Sequence, residues 1–233
     1  MHKVSLIMLP GLDGTGKLFK RTIGHLPPSI EPVVLSYPPD KKLGYTELVP
    51  IVQTSIQAEL PTGQPFVLLG ESFGGPLSLL VADQQPEGLL GIILCASFLS
   101  CPHPLVPLWA GTLLPSTPFR LTAAISKIKG LKEGYWSEES HKAIASVRPE
   151  VWAHRLREVI GIDVSCELSR TTLPLLYIQG KKDIVVPGVN FRKVRAIRND
   201  TQRVQIDTTH MVLQTRPQQS AAAIGSFIEQ LAD

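Results

Sequence analysis

The stretch Phe66-Val67-Leu68-Leu69-Gly70-Glu71-Ser72-Phe73-Gly74-Gly75-Pro76-Leu77 constrains this chain more than any other. An apolar run of strand character ends in Gly-Glu-Ser-Phe-Gly, and a helical pattern begins at once. Glycines two before and two after Ser72 let the backbone pass closely on both sides of a sharp strand-to-helix turn. The serine stands at its tip, the arrangement of a nucleophile elbow. Without the strand before and the helix after, the same motif would read as a glycine-rich turn around an inert serine.

The rest of the chain repeats that strand-then-helix rhythm. Val4–Leu9, Glu31–Ser36, Phe66–Leu69, Leu89–Cys95, Leu173–Gln179 and Arg203–Ile206 read as strands. Helical patterns cover Lys17–Leu26, a segment opened by Thr46-Glu47 and running to Leu60, Gly75–Gln85, Gly188–Arg198 and Pro217–Leu231. In the second of these, Pro50 is tolerable only near the first turn. Alternation of this kind predicts a mostly parallel sheet of about six strands with helices on both faces. The rhythm breaks from Ser97 to about Cys166. Cys101 to Pro118 alone carries five prolines, and helical patterns follow at Arg120–Lys129, Ser137–Val147 and Glu150–Ile160. Ser137 suits an N-cap, and Pro149 suits the start of the last of these helices. The expected organisation is a core from residues 1–97 and 167–233 with a helical cap inserted at 98–166.

Composition narrows the function classes. The chain has 233 residues, 43% hydrophobic and 18% charged, with a formal net charge of +3. That suits a globular domain with a sizeable core and is too weakly basic to imply nucleic acid. The seven Lys and Arg between Lys181 and Arg203 have no aromatic interleaving and read as a solvated face. Three cysteines, Cys95, Cys101 and Cys166, fit neither a disulfide framework nor a zinc site. No signal-peptide pattern and no long apolar span is visible, so a cytoplasmic protein without stable membrane insertion is expected.

Functional groups in open α/β sheets collect at the carboxyl ends of strands. Ser72, Asp183 and His210 follow three such strands, in that chain order. A serine hydroxyl is a weak nucleophile until an imidazole takes its proton, and a carboxylate on the far imidazole nitrogen holds the useful tautomer. The backbone N–H of Phe73, after the serine, and that of Leu12, after the first strand, are the expected oxyanion donors. Glu71, beside the nucleophile, reads as a structural contact, with tuning of the site as the alternative.

These residues resemble the α/β-hydrolase family, in particular its capped serine esterases. Gly70-Glu71-Ser72-Phe73-Gly74 is similar to the family's elbow, Asp183 in Gly-Lys-Lys-Asp-Ile-Val-Val-Pro to its acid, and His210 to its histidine. The resemblance runs from Val4 onward. The short core and the cap position are similar to small bacterial carboxylesterases, including the type that cleaves a pimeloyl-carrier-protein methyl ester. The loop Leu-Pro-Gly-Leu-Asp-Gly-Thr-Gly resembles that of plant phytyl ester synthases, which transfer acyl chains. Two departures stand out: Pro10-Gly11 replaces the common His-Gly, and the family's first two strands have no counterpart before Val4. The resemblance implies a serine hydrolase acting on an ester or acyl thioester, carrier-protein-borne substrates included, without metal or organic cofactor. An acyltransferase using the same acyl-enzyme is the alternative. Oligomeric state is not legible.

Asp163 and Asp207 compete with Asp183 as the acid, but Asp163 lies at the end of the cap rather than after a core strand, and Asp207 is too near His210 in sequence. Phe98, Trp109, Trp136 and Trp152 either line an acyl pocket or form the cap's own core. Gly11 to Lys17 also fits the phosphate-cradling pattern G-x-x-x-x-G-K of a P-loop nucleotide-binding protein. There Leu18 stands where the magnesium-binding hydroxyl belongs.

Overall fold

Side chains alternate faces along a strand, so a sheet covered on both sides needs apolar residues at every position. β1, Val4–Leu9, is buried throughout: Leu6 and Met8 enter one core layer, Ile7 and Leu9 the other. The computed structural model describes residues 3–103 and 138–232. β1 is joined by β2 (Ile30–Val34), β3 (Phe66–Glu71), β4 (Leu89–Cys95), β5 (Leu175–Gly180) and β6 (Gln202–Ile206). They form one six-stranded sheet in the order β2-β1-β3-β4-β5-β6, and every neighbouring pair is parallel. Pro32, which has no N–H to give a ladder, lies in the edge strand β2.

Helices cover both faces. α1 (Lys20–Ile23), α8 (Val212–Thr215) and α9 (Pro217–Ala232) lie on the side of Leu6, Met8, Val67 and Leu69. α2 (Tyr45–Glu59), α3 (Gly74–Asp83) and α7 (Val189–Ile197) cover the face of Ile7, Leu9 and Leu68. Between β4 and β5 the described residues hold α4 (Glu138–Ala145), α5 (Pro149–Gly161) and α6 (Ser165–Arg170). The excursion leaves and rejoins the core side by side: Ser100 and Asp163 form an isolated antiparallel bridge, and Val164 N–H donates to Leu99 O at 2.9 Å. The segments Arg120–Lys129 and Ser137 lie outside the described residues.

Several local expectations are corrected. Lys17–Leu26 is not one helix but a 3-10 turn, Lys17–Phe19, followed by the four-residue α1. Beyond Gly24 the amides of His25 and Leu26 bond three residues back, which tightens and ends the helix. α2 starts at Tyr45, with Gly44 as its cap residue; Glu47 Oε2 accepts the Gly44 N–H at 3.0 Å, so Thr46 is already inside. Pro50 then falls at the sixth helical position rather than in the first turn. Two short helices, α6 and α8, have no sequence forecast. Among the described residues no helix is long and apolar enough to cross a membrane.

The strand order reverses direction between β1 and β3. After β1 the chain moves outward to β2, then returns to the other side of β1. The crevice at the carboxyl ends of β1 and β3 is therefore a topological switch point, where open α/β sheets bind ligands.

Candidate active site

The turn after β3 enters that crevice. Ser72 has φ 50°, the left-handed region that non-glycine residues rarely occupy. Holding it there costs on the order of 1–3 kcal/mol, so its neighbours must over-determine the geometry. Ser72 N–H donates to Cys95 O at 2.9 Å, while Ser72 O accepts from Gly75 N–H at 3.0 Å and from Ser97 Oγ at 2.8 Å. The flanking glycines are there for closeness. A Cβ on Gly70 would run into the Gly74 carbonyl, and one on Gly74 into the carbonyls of Leu9 and Pro10.

β5 and β6 bring the other two side chains. His210 Nε2 lies 3.1 Å from Ser72 Oγ, and His210 Nδ1 lies 2.9 Å from Asp183 Oδ2. An ionised carboxylate only accepts, so the Nδ1 proton points to Asp183 and Nε2 is left to accept the serine proton. Asp183 is itself fixed: its Oδ1 accepts the N–H groups of Val185 at 2.9 Å and Val186 at 2.8 Å. Burial pulls the His210 pKa down, but the charge and hydrogen bond of Asp183, with the charge of Glu71, outweigh it and leave it raised. The rival acids lie elsewhere. Asp163 Oδ1 accepts from Ser165 N–H at 2.9 Å, and Asp207 pairs with Lys182 at 2.9 Å on the surface.

The loop after β1 runs against the serine: a Cβ on Gly11 would lie 3.7 Å from Ser72 Cβ. Among the described residues neither Leu12 N–H nor Phe73 N–H has a hydrogen-bond acceptor. The carbonyls from Pro10 to Gly14 are engaged. Tyr37 Oη donates to Pro10 O at 3.2 Å, Gly14 N–H to Gly11 O at 3.0 Å, and Arg155 Nη1 to Leu12 O and Asp13 O at 2.9 and 3.1 Å. A phosphate cradle turns its amides inward ahead of a full helix. This loop engages its carbonyls instead and opens into a three-residue 3-10 turn.

Glu71 makes a structural contact and also bears on the charge of the site. It is buried, and Gln214 Nε2 of α8 donates to its Oε1 at 2.8 Å. Burial pushes its pKa up to about 7, the Gln214 bond and His210 oppose the rise, and Asp13 adds to it. Of the aromatic residues considered for a pocket, Phe98 is fully buried in the core beside Leu99 and Val164. Trp152 is half-buried on α5, its Nε1 shielded and without a partner among the described residues. Trp109 and Trp136 lie outside the described residues.

Sequence reasoning missed Arg155, Tyr37, Tyr45 and Gln214. Arg155 alone left a trace: Val151, Arg155 and Val159 are spaced i, i+4, i+8, which puts the arginine on the buried stripe of its helix.

The family model described as serine aminopeptidase, S33, matches residues 48–210. The biotin biosynthesis bifunctional protein BioHC of Cellvibrio japonicus is 27% identical over 197 residues; the match takes in 79% of this chain but only 39% of that protein. Pyrrolizixenacetamide deacetylase of Xenorhabdus hominickii is 25% identical over 252 aligned positions, covering 94% of this chain and 91% of the relative. In structure the chain is similar to a lipase-esterase related protein from Clostridium acetobutylicum. The TM-score is 0.78 at 15% identity, covering 97% of this chain and 98% of that one.

Proposed function

The chain belongs to the serine aminopeptidase S33 family and is an enzyme of the α/β-hydrolase fold, and from that premise we propose that it cleaves a carboxylic ester or thioester through an acyl-enzyme on Ser72. The observation that carries the reading is His210, whose two ring nitrogens lie 3.1 Å from Ser72 Oγ and 2.9 Å from Asp183 Oδ2. Ser72 Oγ attacks the substrate carbonyl carbon as its proton passes to His210 Nε2. The carbonyl oxygen becomes an oxyanion facing the N–H groups of Leu12 and Phe73, and Asp183 steadies the imidazolium. As the tetrahedral species collapses, His210 returns the proton to the departing alkoxide or thiolate, leaving acyl-Ser72. Water then gives a proton to His210 as it attacks the acyl carbon; the acyl–Oγ bond breaks, His210 passes that proton to Ser72 Oγ, and the acyl group leaves as the carboxylic acid.

The inserted segment, 98–166, lies between two core strands and supplies α5 beside the β1 loop. In this reading it covers the site and selects the acyl group, with Trp152 as a lining candidate. The similarity to the pyrrolizixenacetamide deacetylase adds acetamides to the substrate panel, beside the carrier-protein-borne acyl groups expected from the sequence. A cytoplasmic setting belongs to the same reading.

A fluorophosphonate probe should label the wild-type protein, and Ser72→Ala should abolish both labelling and turnover. Labelling that persists in the variant would overturn the assignment. Turnover on esters, thioesters and amides of graded acyl length then identifies the substrate class. An added alcohol acceptor separates hydrolysis from acyl transfer.

A further inference from the structure

Arg155 is a buried arginine, 1% exposed, on helix α5 of the inserted segment. Among the described residues its guanidinium forms no ion pair. It meets carbonyl oxygens: Nη1 donates to Leu12 O at 2.9 Å and Asp13 O at 3.1 Å, and Nη2 to Pro38 O at 3.0 Å. It also lies over the Tyr37 ring, 5.5 Å from its centroid. The β1 loop is shaped to admit it: a side chain on Gly14, φ 64°, would collide with Nη1 and with Tyr37. Taking a charged group out of water is expensive, and burial here pulls the Arg155 pKa down. The guanidinium is spent on backbone carbonyls, two in the loop after β1 and one after β2, and so acts chiefly to fix the β1 loop against its neighbour.

What it fixes follows from peptide planarity. The Leu12 N–H shares its plane with Gly11 O, which is tied by Gly14 N–H. The next two planes are tied at Leu12 O and Asp13 O by Arg155. With Tyr37 on Pro10 O, four successive carbonyls are anchored, and the Leu12 N–H has no remaining freedom to rotate. The same helix reaches the second donor. Glu158 Oε2 accepts Tyr45 N–H at 3.2 Å at the start of α2. The Tyr45 ring stacks on Phe73 at 4.4 Å, and its hydroxyl donates to Phe73 O at 3.2 Å.

We propose that Arg155 is a positioning residue for the Leu12 oxyanion donor, so that seating helix α5 and assembling the oxyanion site are one event. This rests on the acyl-enzyme reading above. Helix α5 then governs the chemistry through its seating, because a displaced α5 leaves Leu12 and Asp13 without their anchor.

The test compares full-length wild type, Arg155→Lys, Arg155→Met and Ser72→Ala. Melting is followed by circular dichroism, and kcat and KM are measured on one aryl ester. Inhibition is measured with a trifluoromethyl ketone, which adds to the serine and places an oxyanion at the site. In folded Arg155→Met, kcat should fall about 100-fold with KM little changed. Ketone affinity should fall in proportion, and Arg155→Lys should recover part of both. If Arg155→Met does not fold, the proportionality is read from Arg155→Lys alone. Unchanged kcat in a folded variant would overturn the proposal, as would a loss confined to KM or a loss of kcat with undiminished ketone affinity. Turnover surviving in Ser72→Ala would instead sink the acyl-enzyme reading, so the two failures are distinguishable.

Discussion

Gln214 Nε2 donates to Glu71 Oε1 at 2.8 Å, tying the residue before Ser72 to helix α8, just beyond His210. The two loops that carry the nucleophile and the base are thereby joined through a buried carboxyl.

That carboxyl makes a pH signature. In the fold Glu71 titrates near 7, against an ordinary 4.5. Between those values the native state holds more protons than the unfolded state, so stability falls as pH rises, and it levels off above the folded pKa. The full effect is on the order of 3 kcal/mol. Glu71→Gln keeps an acceptor for Gln214 and removes the titration. Denaturation at pH 5 and pH 8 should show wild type losing stability relative to the variant at the higher pH. Parallel pH dependences would refute the argument.

The same charge helps to raise the His210 pKa, and Asp183 raises it more. Activity requires neutral His210, so the acidic limb of kcat/KM should lie above the 6.5 of a free imidazole and move to lower pH in Glu71→Gln. Asp183→Asn should cost about 10⁴-fold in kcat by losing control of the tautomer. Asp163→Asn, which disturbs contacts with Ser165 and the attraction of Lys193, away from His210, should leave kcat within a few-fold and cost about 1 kcal/mol of stability. The reverse ranking would reassign the acid.

Two glycines should respond with opposite sign. A Cβ on Gly75 would overlap Ser97 Oγ, the group that holds Ser72 O, and would press on Leu94. Gly75→Ala should therefore destabilise by about 1–3 kcal/mol and lower kcat with it. A Cβ on Gly161, the last residue of α5, meets nothing within 4 Å. Gly161→Ala should stabilise by about 0.5–1 kcal/mol through helix propensity. Thermal melts of the two variants check both; equal shifts would mean that close approach at the elbow is not what excludes a side chain.

How much of this was readable beforehand depended on range. β1 and β4 match their predicted spans residue for residue, because a doubly covered parallel strand is a near-continuous apolar run, interrupted in β1 only by Ser5. The approach of Ser72, Asp183 and His210 was legible because each follows a core strand, and topology gathers strand ends. Helix starts were harder. α2 opens at Gly44 rather than Thr46 because the carboxylates that satisfy its first amides come from Glu47 and from Glu158, more than a hundred residues away. Arg155 could be placed on a buried face by its spacing, but no local pattern says that the carbonyls of Leu12 and Asp13 await it. Such partners are set by tertiary packing, which periodicity does not encode.

The narrow neck at Ser100 and Asp163 has a consequence for how this chain tolerates change. A segment whose two ends are already pinned together adds closure entropy only logarithmically as it lengthens, about 0.6 kcal/mol per doubling. Residues gained or lost beyond that neck leave the register of β4 against β5 untouched. Length variation there is limited by one demand: the segment must still deliver Arg155 to the loop after β1.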